Sequence, residues 1–301
     1  MRILVTGSSS MIGGCICNDL EKEGHNVDRV LHSECDLLSY EQTLNRIRLF
    51  KPDFVVHAAG YNGGIEWNRL YPETIFARTA RMGLNVLEAC VEQNVTRVLS
   101  IISSCAYPDK GQDMLYASDM WDGLPNQTVE CHGLSKRILH AYSRQINKQH
   151  KKNYVCAVLT NCYGPKDNTD PLKTKVVMAL IKKFVEAQRD NLPEVVCWGT
   201  GSPRREFMYC EDAAEALGDV LFDWYQSDLV NVGVGYDVSI KELSEMIANI
   251  VGYKGRVTWD TAKSDGQMKK MLDSSALGYK PKTLLAEGLT KTIEWFKEVS
   301  K

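Results

Sequence analysis

Short apolar runs alternate with longer amphipathic stretches through the first half of the chain. The runs have the length and the β-branched content of buried parallel strands, and they cover residues 2–7, 26–31, 54–60, 97–103 and 154–159. The stretches between them repeat apolar residues at helical spacing, which predicts a first helix ending near Gly24 and others at about 40–50, 72–92, 132–149 and 174–188. Strands that alternate with helices predict an α/β fold with a doubly wound parallel sheet of the Rossmann type.

The alternation loosens after about residue 165. Short apolar runs and amphipathic stretches then predict strands near 195–198, 229–232 and 256–259, and helices near 210–225, 239–250 and 284–299. We therefore predict a Rossmann domain at 1–165 and a smaller cap mainly at 166–301. The cap is expected to be interleaved with the first domain and to send some segments back to it.

The composition excludes several classes of protein. The chain has 301 residues, of which 44% are hydrophobic and 25% charged, as is typical of a soluble globular protein. A net charge of −2 offers little to nucleic acid or an anionic membrane, and no apolar run approaches the ~20 residues of a membrane helix. The chain begins with a predicted strand rather than a signal peptide. We expect a cytoplasmic protein with no nucleic-acid or membrane partner.

Ten cysteines are scattered along the chain, several of them inside apolar runs, where cysteine behaves as a small buried hydrophobe. The sequence contains no Cys-x-x-Cys pair and no cluster of histidines, so it predicts no metal site. Free thiols in a reducing cytoplasm are the expected state.

A glycine-containing turn follows the first strand and reads Gly-Ser-Ser-Ser-Met-Ile-Gly at residues 7–13. Such a turn lets backbone amides and a helix N-terminus meet the pyrophosphate of a dinucleotide. Ser10 replaces the middle glycine of the usual Gly-x-x-Gly-x-x-Gly form, and the turn alone could be only a tight strand-to-helix connection. Because residues 57–60 and Lys136 follow at suitable distances, we predict a coenzyme site made of Gly7, Ser9, Ser10, Met11, Ile12, Gly13, His32, Ala58, Ala59, Gly60, Lys136 and Asn161.

The end of the second strand selects between the two nicotinamide coenzymes. An acidic residue there accepts the ribose hydroxyls, whereas arginine binds a 2′-phosphate. The chain reads Leu-His-Ser-Glu at residues 31–34 and has Ser9 in the turn, so the arginine clamp is absent. Arg29 lies before the strand end and is expected to be a surface charge. We predict weak discrimination in favour of NADP(H), with NAD(H) as an alternative coenzyme.

Several strings in the sequence are specific enough to indicate a family. Ser-Ser-Cys-Ala-Tyr-Pro lies at residues 103–108, and Trp-Gly-Thr-Gly-Ser-Pro-Arg-Arg-Glu-Phe lies at 198–207. Further matching segments lie at 58–65, 160–168, 231–235 and 265–266. On these strings, and over nearly its whole length, the chain resembles the GDP-L-fucose synthase family of the extended short-chain dehydrogenases/reductases. The resemblance implies NADP(H) as coenzyme, a GDP-linked 4-keto sugar as substrate, and a cap that binds this nucleotide sugar.

The resemblance implies a catalytic set with two departures. Ser103 corresponds to a serine that helps a tyrosine polarise the 4-keto group, and Cys105 to a base that abstracts protons at C3 and C5. The lysine of the Tyr-x-x-x-Lys motif, which holds the nicotinamide ribose, is kept as Lys136, but His132 replaces the tyrosine. Lys175 replaces the histidine that serves as the partner acid in epimerisation, so efficient double epimerisation is not expected.

The role of His132 is open from the sequence. Hydride delivery to a ketone needs a proton donor within hydrogen-bond reach, and an imidazolium with an unperturbed pKa near ~6.5 is acidic enough. Imidazole is shorter than a phenol, however, and Lys136 would lower the pKa of His132 and leave it mostly neutral. Either His132 supports reduction, with Ser103 as a relay, or it fills a slow or dead site.

The resemblance also implies contacts with the substrate. Arg205 corresponds to an arginine that grips the diphosphate, with a salt bridge to Glu206 as the alternative. Lys270 is a candidate phosphate contact unless Lys269 and Lys270 form a solvated pair. Trp198 and Asp265 match positions that contact the sugar and guanosine ends. The predicted substrate site comprises Asn62, Gly63, Ser104, Asn161, Lys183, Trp198, Arg205, Asp265 and Lys270.

Two predicted helices carry apolar stripes at helical spacing, made of Met82, Val86, Leu87 and Cys90 and of Leu134, Ile138, Tyr142 and Ile146. The resemblance implies that both helices pair with their symmetry mates in a homodimer. The same stripes could instead be core that packs against the sheet.

Three functions fit these observations. The leading hypothesis is a GDP-sugar oxidoreductase that reduces C4 of a GDP-4-keto-6-deoxy sugar. The second is a C4 reductase or dehydrogenase without epimerisation, and the third is a catalytically impaired homologue that only binds a nucleotide sugar. In the sequence, only His132 and Lys175 distinguish among them.

Overall fold

A computed structural model describes residues 1–111 and 113–300, so Lys301, the last residue of the predicted cap, lies outside the described residues. The strands in this part of the chain are β1 (Arg2–Thr6), β2 (Asn26–Val30), β3 (Phe54–His57), β4 (Arg97–Ser103), β5 (Asn153–Leu159), β6 (Asn161–Tyr163), β7 (Glu194–Trp198), β8 (Arg204–Arg205), β9 (Phe207–Tyr209), β10 (Leu229–Val232), β11 (Val238–Ser239), β12 (Arg256–Asp260) and β13 (Lys269–Lys270). The α-helices are α1 (Met11–Lys22), α2 (Tyr40–Phe50), α3 (Ile65–Leu70), α4 (Pro72–Glu92), α5 (Glu130–His150), α6 (Val176–Arg189), α7 (Cys210–Asp223), α8 (Ile240–Val251) and α9 (Leu285–Val299). Short 3-10 helices lie at Ser104–Ala106, Ala117–Trp121 and Gln127–Val129.

The main sheet has six parallel strands in the order β10-β5-β4-β3-β1-β2. The chain runs outward from β1 to β2 and then returns to β3 on the other side of β1. A ligand crevice is expected outside the carboxyl ends of the strands at such a reversal. Thr6 ends β1 directly beside His57 at the end of β3. The predicted Rossmann-type fold is confirmed.

Helices cover both faces of this sheet. Ile3 and Val5 belong to the apolar cluster on one face, whereas Leu4 between them belongs to the cluster on the other. This alternation is the period of two expected of a strand. Helices α1 and α7 pack together, as do α4 and α5, and α2 packs on α4. The strands are buried on both faces, which is why they appear in the sequence as nearly continuous apolar runs.

Segments after residue 165 form small sheets and also contribute to the main one. Strand β10 joins the edge of the main sheet beside β5. The smaller sheets have the orders β11-β8-β13, β12-β7 and β6-β9. The pairing of β13 with β8 places Lys270 beside Arg205. The division into domains at residue 165 stays a prediction.

Element ends differ from the predicted ones by a few residues. The strand predicted to reach residue 60 ends at His57. Ala58 N still donates to Thr6 O of β1 at 3.2 Å, and the chain then turns away from β1. Helix α6 begins at Val176, with Lys175 as its N-cap. The helix α3 and the two-residue strands were not predicted, since they are too short to show a period. Among the described residues, no helix has the length and apolar character of a membrane span, and no group of His, Cys, Asp or Glu is arranged to hold a metal ion.

Candidate active site

The glycine turn packs against the segment after β3 with no room for side chains. Gly7 has φ +69°, and a Cβ on it would lie 2.7 Å from Ala59 N. A Cβ on Gly13 would lie 2.2 Å from Gly7 O. Ser10 caps α1, since its Oγ accepts from Gly13 N at 3.1 Å and donates to Gly7 O at 2.7 Å. Ser10 therefore fixes the turn at the position where the middle glycine of the motif is usual. The turn fits the pyrophosphate of a dinucleotide.

A cleft of about 330 Å³ opens at this turn, and we call it the coenzyme cleft. Seven residues predicted from the sequence line it, namely Gly7, Ser9, Ser10, His32, Ala58, Ala59 and Gly60. The remaining lining residues were not predicted and are Val30, Cys35, Asp36, Leu37, Leu38, Tyr61, Arg78 and Met82. Met11 and Ile12 instead pack in or against the apolar core, and the Asn161 amide donates to Glu206 O at 3.0 Å. Met11 and Ile12 could therefore contact a coenzyme through their backbone amides at the start of α1, and the coenzyme contacts of Met11, Ile12 and Asn161 stay a prediction.

Arg78 brings a cation to the coenzyme cleft from α4. Its guanidinium carbon lies 4.9 Å from the centre of the Tyr61 ring, and the side chain is exposed. The sequence motifs for a phosphate-binding arginine lie in the glycine turn and at the end of β2, so the sequence does not indicate this residue. Planar stacking on an aromatic ring keeps the donors of an arginine free for a phosphate.

Lys136 links α5 to the main sheet and to the segment after β3. Its Nζ donates to Ile101 O at 2.9 Å and to Ala59 O at 3.3 Å, and a Cβ on Gly60 would lie 3.5 Å from it. Burial lowers the pKa of Lys136 to about 8. The ammonium therefore lies at the end of the coenzyme cleft and can lose or gain a proton near neutral pH.

His132 is a buried imidazole without a partner. It is 5% exposed, and Nδ1 has no hydrogen bond within the described part of the chain. Burial, followed by the charge of Lys136 and then those of Lys175 and Lys270, lowers the pKa of His132 well below its usual value. The predicted direction of this shift is confirmed, although burial is a larger cause than Lys136. His132 is therefore neutral around pH 7.

Cys105 lies between the end of β4 and the start of α5. Its N donates to Ser103 Oγ at 3.2 Å, and a Cβ on Gly133 would lie 2.3 Å from its carbonyl oxygen. The Nζ of Lys270 donates to Cys105 Sγ at 3.3 Å. Lys270 is only 7% exposed, so a solvated lysine pair was the wrong alternative for it. Lys269 points to Asp113 instead, at 3.1 Å.

Lys175, at the position of the expected partner acid, has an exposed side chain. Its charge nevertheless acts on the site. Burial raises the pKa of Cys105, whereas the charge of Lys270 and, more weakly, that of Lys175 lower it. Burial lowers the pKa of His132, and the charges of Lys136 and Lys175 lower it further. Lys175 therefore faces the same space as these two residues from the start of α6.

Arg205 lies on β8, beside Lys270 of β13. Its guanidinium donates to Arg204 O at 2.8 Å and to Gln267 O, and burial lowers its pKa. A salt bridge to Glu206 was the wrong alternative. The Glu206 carboxylate is buried and accepts three backbone N–H groups, from Val234, Gly235 and Leu272, at 3.0, 2.9 and 2.8 Å.

Asp265 closes a loop with its carboxylate. It accepts from Thr200 N at 2.7 Å and from Thr200 Oγ1 at 2.8 Å, and a Cβ on Gly199 would lie 2.3 Å from its Oδ1. The same loop leaves the Trp198 ring 43% exposed while its Nε1 donates to Ser264 O at 2.8 Å. Two of the acceptor positions of the Asp265 carboxylate are thus used within the loop, Lys263 Nζ lies 5.3 Å from the centre of the Trp198 ring, and the substrate contacts of Asp265 and Trp198 stay a prediction.

The other predicted substrate residues are positioned by local contacts. The Asn62 Oδ1 accepts from Asn68 Nδ2 at 3.1 Å, a Cβ on Gly63 would lie 2.8 Å from Trp67, and Ser104 is 2% exposed. Lys183 donates to Val196 O at 2.7 Å. That contact ties α6 to β7, and none of the hydrogen bonds of the described residues joins Lys183 to Cys105 or His132. A substrate contact by Lys183 stays a prediction.

Four cations surround the site, and we call Lys136, Lys175, Arg205 and Lys270 the cation cluster. Within residues 1–111 and 113–300 none of them forms an ion pair with a carboxylate, although their chain neighbours Arg204 and Lys269 pair with Asp237 and Asp113. Lys136 and Lys270 are buried and Arg205 is partly buried. Such cations favour an anionic ligand when they have no carboxylate as an ion-pair partner. A diphosphate fits this requirement.

Known proteins share this arrangement of elements. Residues 3–233 match the NAD dependent epimerase/dehydratase family. The chain is 34% identical to the GDP-L-fucose synthase of Escherichia coli (strain K12), over 99% of this chain and 97% of that one. It is 33% identical to the GDP-L-colitose synthase of Yersinia pseudotuberculosis, over 98% of both chains. The solved structure of a GDP-mannoheptose C4 reductase from Campylobacter jejuni with NADP bound superposes with a TM-score of 0.87 at 26% identity, covering 98% of both chains. The chain therefore belongs to the NAD dependent epimerase/dehydratase family, and within it to the group that contains the GDP-L-fucose synthases.

Proposed function

We propose that this protein is a GDP-sugar oxidoreductase that reduces the C4 ketone of a GDP-4-keto-6-deoxy sugar with a nicotinamide coenzyme. The observation that carries the proposal is that Ser103, His132 and Lys136 lie close to both possible ligands. Lys136 reaches Ala59 and Gly60 at the end of the coenzyme cleft, His132 lies near the charges of Lys136, Lys175 and Lys270, and Ser103 adjoins Cys105, which Lys270 contacts. A coenzyme bound in the coenzyme cleft and a diphosphate bound by the cation cluster would leave the keto sugar between them, next to these three side chains. The relatives named above act on GDP-linked sugars, which fits a diphosphate-binding pocket.

The coenzyme fits this chain's own residues. Gly7 and Gly13 leave a cradle that a Cβ would fill, and the amides at the start of α1 can bind a pyrophosphate. The groups that would hold it are the turn at 7–13, the segment 58–60 and Lys136. When bound, the coenzyme supplies the hydride for the ketone. We propose NADP(H), with weak discrimination against NAD(H), because His32 and Ser9 in the cleft are not arginines.

The chain's own residues polarise the ketone and supply the proton. The Ser103 hydroxyl and one N–H of the neutral His132 donate to the C4 oxygen. A neutral imidazole can donate at one nitrogen while it accepts at the other. As negative charge develops on the oxygen, His132 passes on one proton and takes another from the ammonium of Lys136, whose pKa of about 8 suits an acid at neutral pH. This concerted transfer avoids both a free alkoxide and a negatively charged imidazole.

Reduction without epimerisation is a second candidate. Epimerisation needs a base and an acid on opposite faces of the sugar ring, and Lys175 offers an exposed ammonium where a histidine is expected. The structural relative from Campylobacter jejuni is named as a C4 reductase. We therefore propose that C4 reduction is the main activity and that inversion at C3 and C5 is slow.

The test is an incubation of the purified protein with GDP-4-keto-6-deoxymannose and NADPH or NADH. Loss of absorbance at the nicotinamide band, with formation of a GDP-6-deoxy sugar, is the expected result. Analysis of the product sugar separates inverted from uninverted C3 and C5. A Lys136→Met variant is the matched control and should lose turnover. If the protein binds GDP but oxidises neither coenzyme, it is a silent binder and the proposal is wrong.

We also propose a homodimer through α4 and α5 and a cytoplasmic location. Val86, Leu87, Cys90 and Ile146 of the predicted stripes lie in the core, whereas Met82, Leu134, Ile138 and Tyr142 are only half-buried. Met82 lines the coenzyme cleft, but the half-buried apolar side chains along α5 suit a contact with a second copy. Light scattering at micromolar concentration should give twice the chain mass, and Ile138→Glu should reduce it. A monomeric mass for the unmodified protein would contradict the dimer.

A further inference from the structure

A buried ammonium lies against the thiol of Cys105. The Nζ of Lys270 is 3.3 Å from Cys105 Sγ, and the lysine side chain is 7% exposed. We propose that Lys270 holds Cys105 as a thiolate, so that the site contains an ionised base before any substrate binds. The role given to that base rests on the proposed function, whereas the ion pair itself does not.

Lys270 carries its charge at a buried position. An ammonium that is removed from water needs an anion or several good acceptors, since its desolvation costs several kcal/mol. In the described part of the chain Lys270 forms no ion pair with a carboxylate, and the sulfur of Cys105 is its one side-chain hydrogen-bond partner. A neutral thiol is a weak acceptor, whereas a thiolate supplies a full negative charge. Ionisation of Cys105 therefore satisfies the buried lysine.

Strand pairing fixes this contact. Lys270 lies on β13, which pairs in parallel with β8 and is held there by Arg204 N donating to Met268 O at 2.8 Å. Cys105 lies in the 3-10 helix directly after β4. The two residues are 165 positions apart, so the tertiary fold brings them together rather than local sequence.

The other groups that face Cys105 also favour its thiolate form. Burial raises the pKa of the thiol, but the charge of Lys270, a hydrogen bond from Ser103 and the charge of Lys175 outweigh it, so the pKa of Cys105 is lower than usual. From α5, His132 is neutral and adds no opposing charge. Burial raises the pKa of Cys131, which therefore stays a thiol. Arg205 on β8 adds a further positive charge.

The consequence concerns a carbon next to the ketone. Its proton would pass to Cys105 Sγ, and the C–H electron pair would move into an enolate whose oxygen accepts from His132 and, once Cys105 is a neutral thiol, from the released Ser103 hydroxyl. Reprotonation of that carbon would regenerate the ketone. Lys270 does not touch the sugar in this step and acts through Cys105, so it is a positioning residue. This differs from the phosphate contact expected from the sequence.

The experiment measures how fast iodoacetamide alkylates Cys105 as a function of pH, in the full chain without sugar or coenzyme. Mass spectrometry of the peptide that contains Cys105 separates it from Cys15 and Cys131, which are also partly exposed. We expect a midpoint below the ~8.5 of an ordinary thiol. In Lys270→Met and Lys270→Gln the midpoint should rise, and the rate at pH 7 should fall by up to about tenfold for each unit by which the midpoint rises above pH 7. Lys270→Arg should keep a low midpoint.

Lys269→Met is the matched control, because Lys269 lies beside Lys270 on β13 but pairs with Asp113. It should leave the midpoint unchanged. An ordinary midpoint in the unmodified protein would overturn the proposal, as would an unchanged midpoint in either neutral variant. If Lys270→Met weakens GDP binding without moving the midpoint, Lys270 binds phosphate and the ion pair is wrong. Because no sugar is present, a protein that fails to reduce keto sugars can still give the predicted result.

Discussion

Gly133 lies so close to Cys105 that a Cβ on it would stand 2.3 Å from the Cys105 carbonyl oxygen. This approach fixes the distance between α5, which carries His132 and Lys136, and the turn that carries Ser103 and Cys105. The two parts of the proposed chemistry are therefore joined by a glycine that neither binds nor reacts. Local packing alone makes this position intolerant of a side chain.

We predict that Gly133→Ala destabilises the protein by about 1–3 kcal/mol, the usual cost of overpacking, and slows turnover by displacing α5. Gly218→Ala is the matched control. It is also a helical glycine, but a Cβ on it would meet only Asp19 Oδ2, at 3.9 Å. That change should stabilise α7 by about 0.5–1 kcal/mol, because alanine favours a helix. Urea unfolding of both variants checks this, and equal stability in both would contradict the packing argument.

His132→Tyr should increase C4 reduction. The tyrosine would restore the Tyr-x-x-x-Lys pair with Lys136 and reach further toward the ketone. General acid catalysis is typically worth ~10²–10⁴-fold, and we expect about one to two orders of magnitude because the larger ring must fit a buried position. Single-turnover rates with the same keto sugar check it. A lower rate for the tyrosine variant would mean that the site is adapted to imidazole.

Arg78→Ala should weaken the binding of NADPH and of NADH by similar factors. The guanidinium lies over Tyr61 near residues 58–60, where a pyrophosphate common to both coenzymes would pass. A charge-assisted hydrogen bond is worth roughly 1.5–3 kcal/mol, and calorimetry resolves such a loss. Arg81→Ala, an exposed arginine on the same helix, is the control. A loss confined to NADPH would place the 2′-phosphate at Arg78 and would contradict the predicted weak discrimination.

Lys136 should make the stability of the fold depend on alkaline pH. Its pKa falls from 10.5 in an ordinary lysine to about 8 in the fold, so between these values the unfolded chain binds more protons than the folded one. Stability should therefore rise as pH increases from about 8 to about 10.5, by about 3 kcal/mol from this residue. Urea unfolding at pH 7 and at pH 10 should show the rise in the unmodified protein. The rise should shrink in Lys136→Met, and an equal rise in both proteins would contradict the shifted pKa.

The sequence predicts long helices and strands, and the candidate site residues that lie on them. Helix α4 matches its predicted bounds, because Pro72 begins it and its apolar period runs without a break to Glu92. The family resemblance indicated Ser103 and His132, and in the structure one ends the buried strand β4 while the other lies in the first turn of the long helix α5. A recognisable motif surrounds each of them.

Contacts between distant short segments could not be predicted. Lys270 reaches Cys105 through a two-residue strand, and such a strand carries no period. Arg78 enters the coenzyme cleft from a helix whose sequence predicts only an amphipathic face. The Asp265 carboxylate accepts two hydrogen bonds from Thr200 across a loop, and nothing in the sequence around either residue indicates this contact. In each case tertiary packing decides what a polar side chain contacts.

The most direct test of the proposed reduction follows the hydride itself. The protein is mixed with a GDP-4-keto-6-deoxy sugar and NADPH carrying deuterium on the transferred position, and the product sugar is analysed by mass spectrometry and NMR. The account predicts one deuterium at C4 of the product, at a rate that Lys136→Met abolishes. A keto sugar that binds but is recovered unreduced and without deuterium at C4 would contradict it.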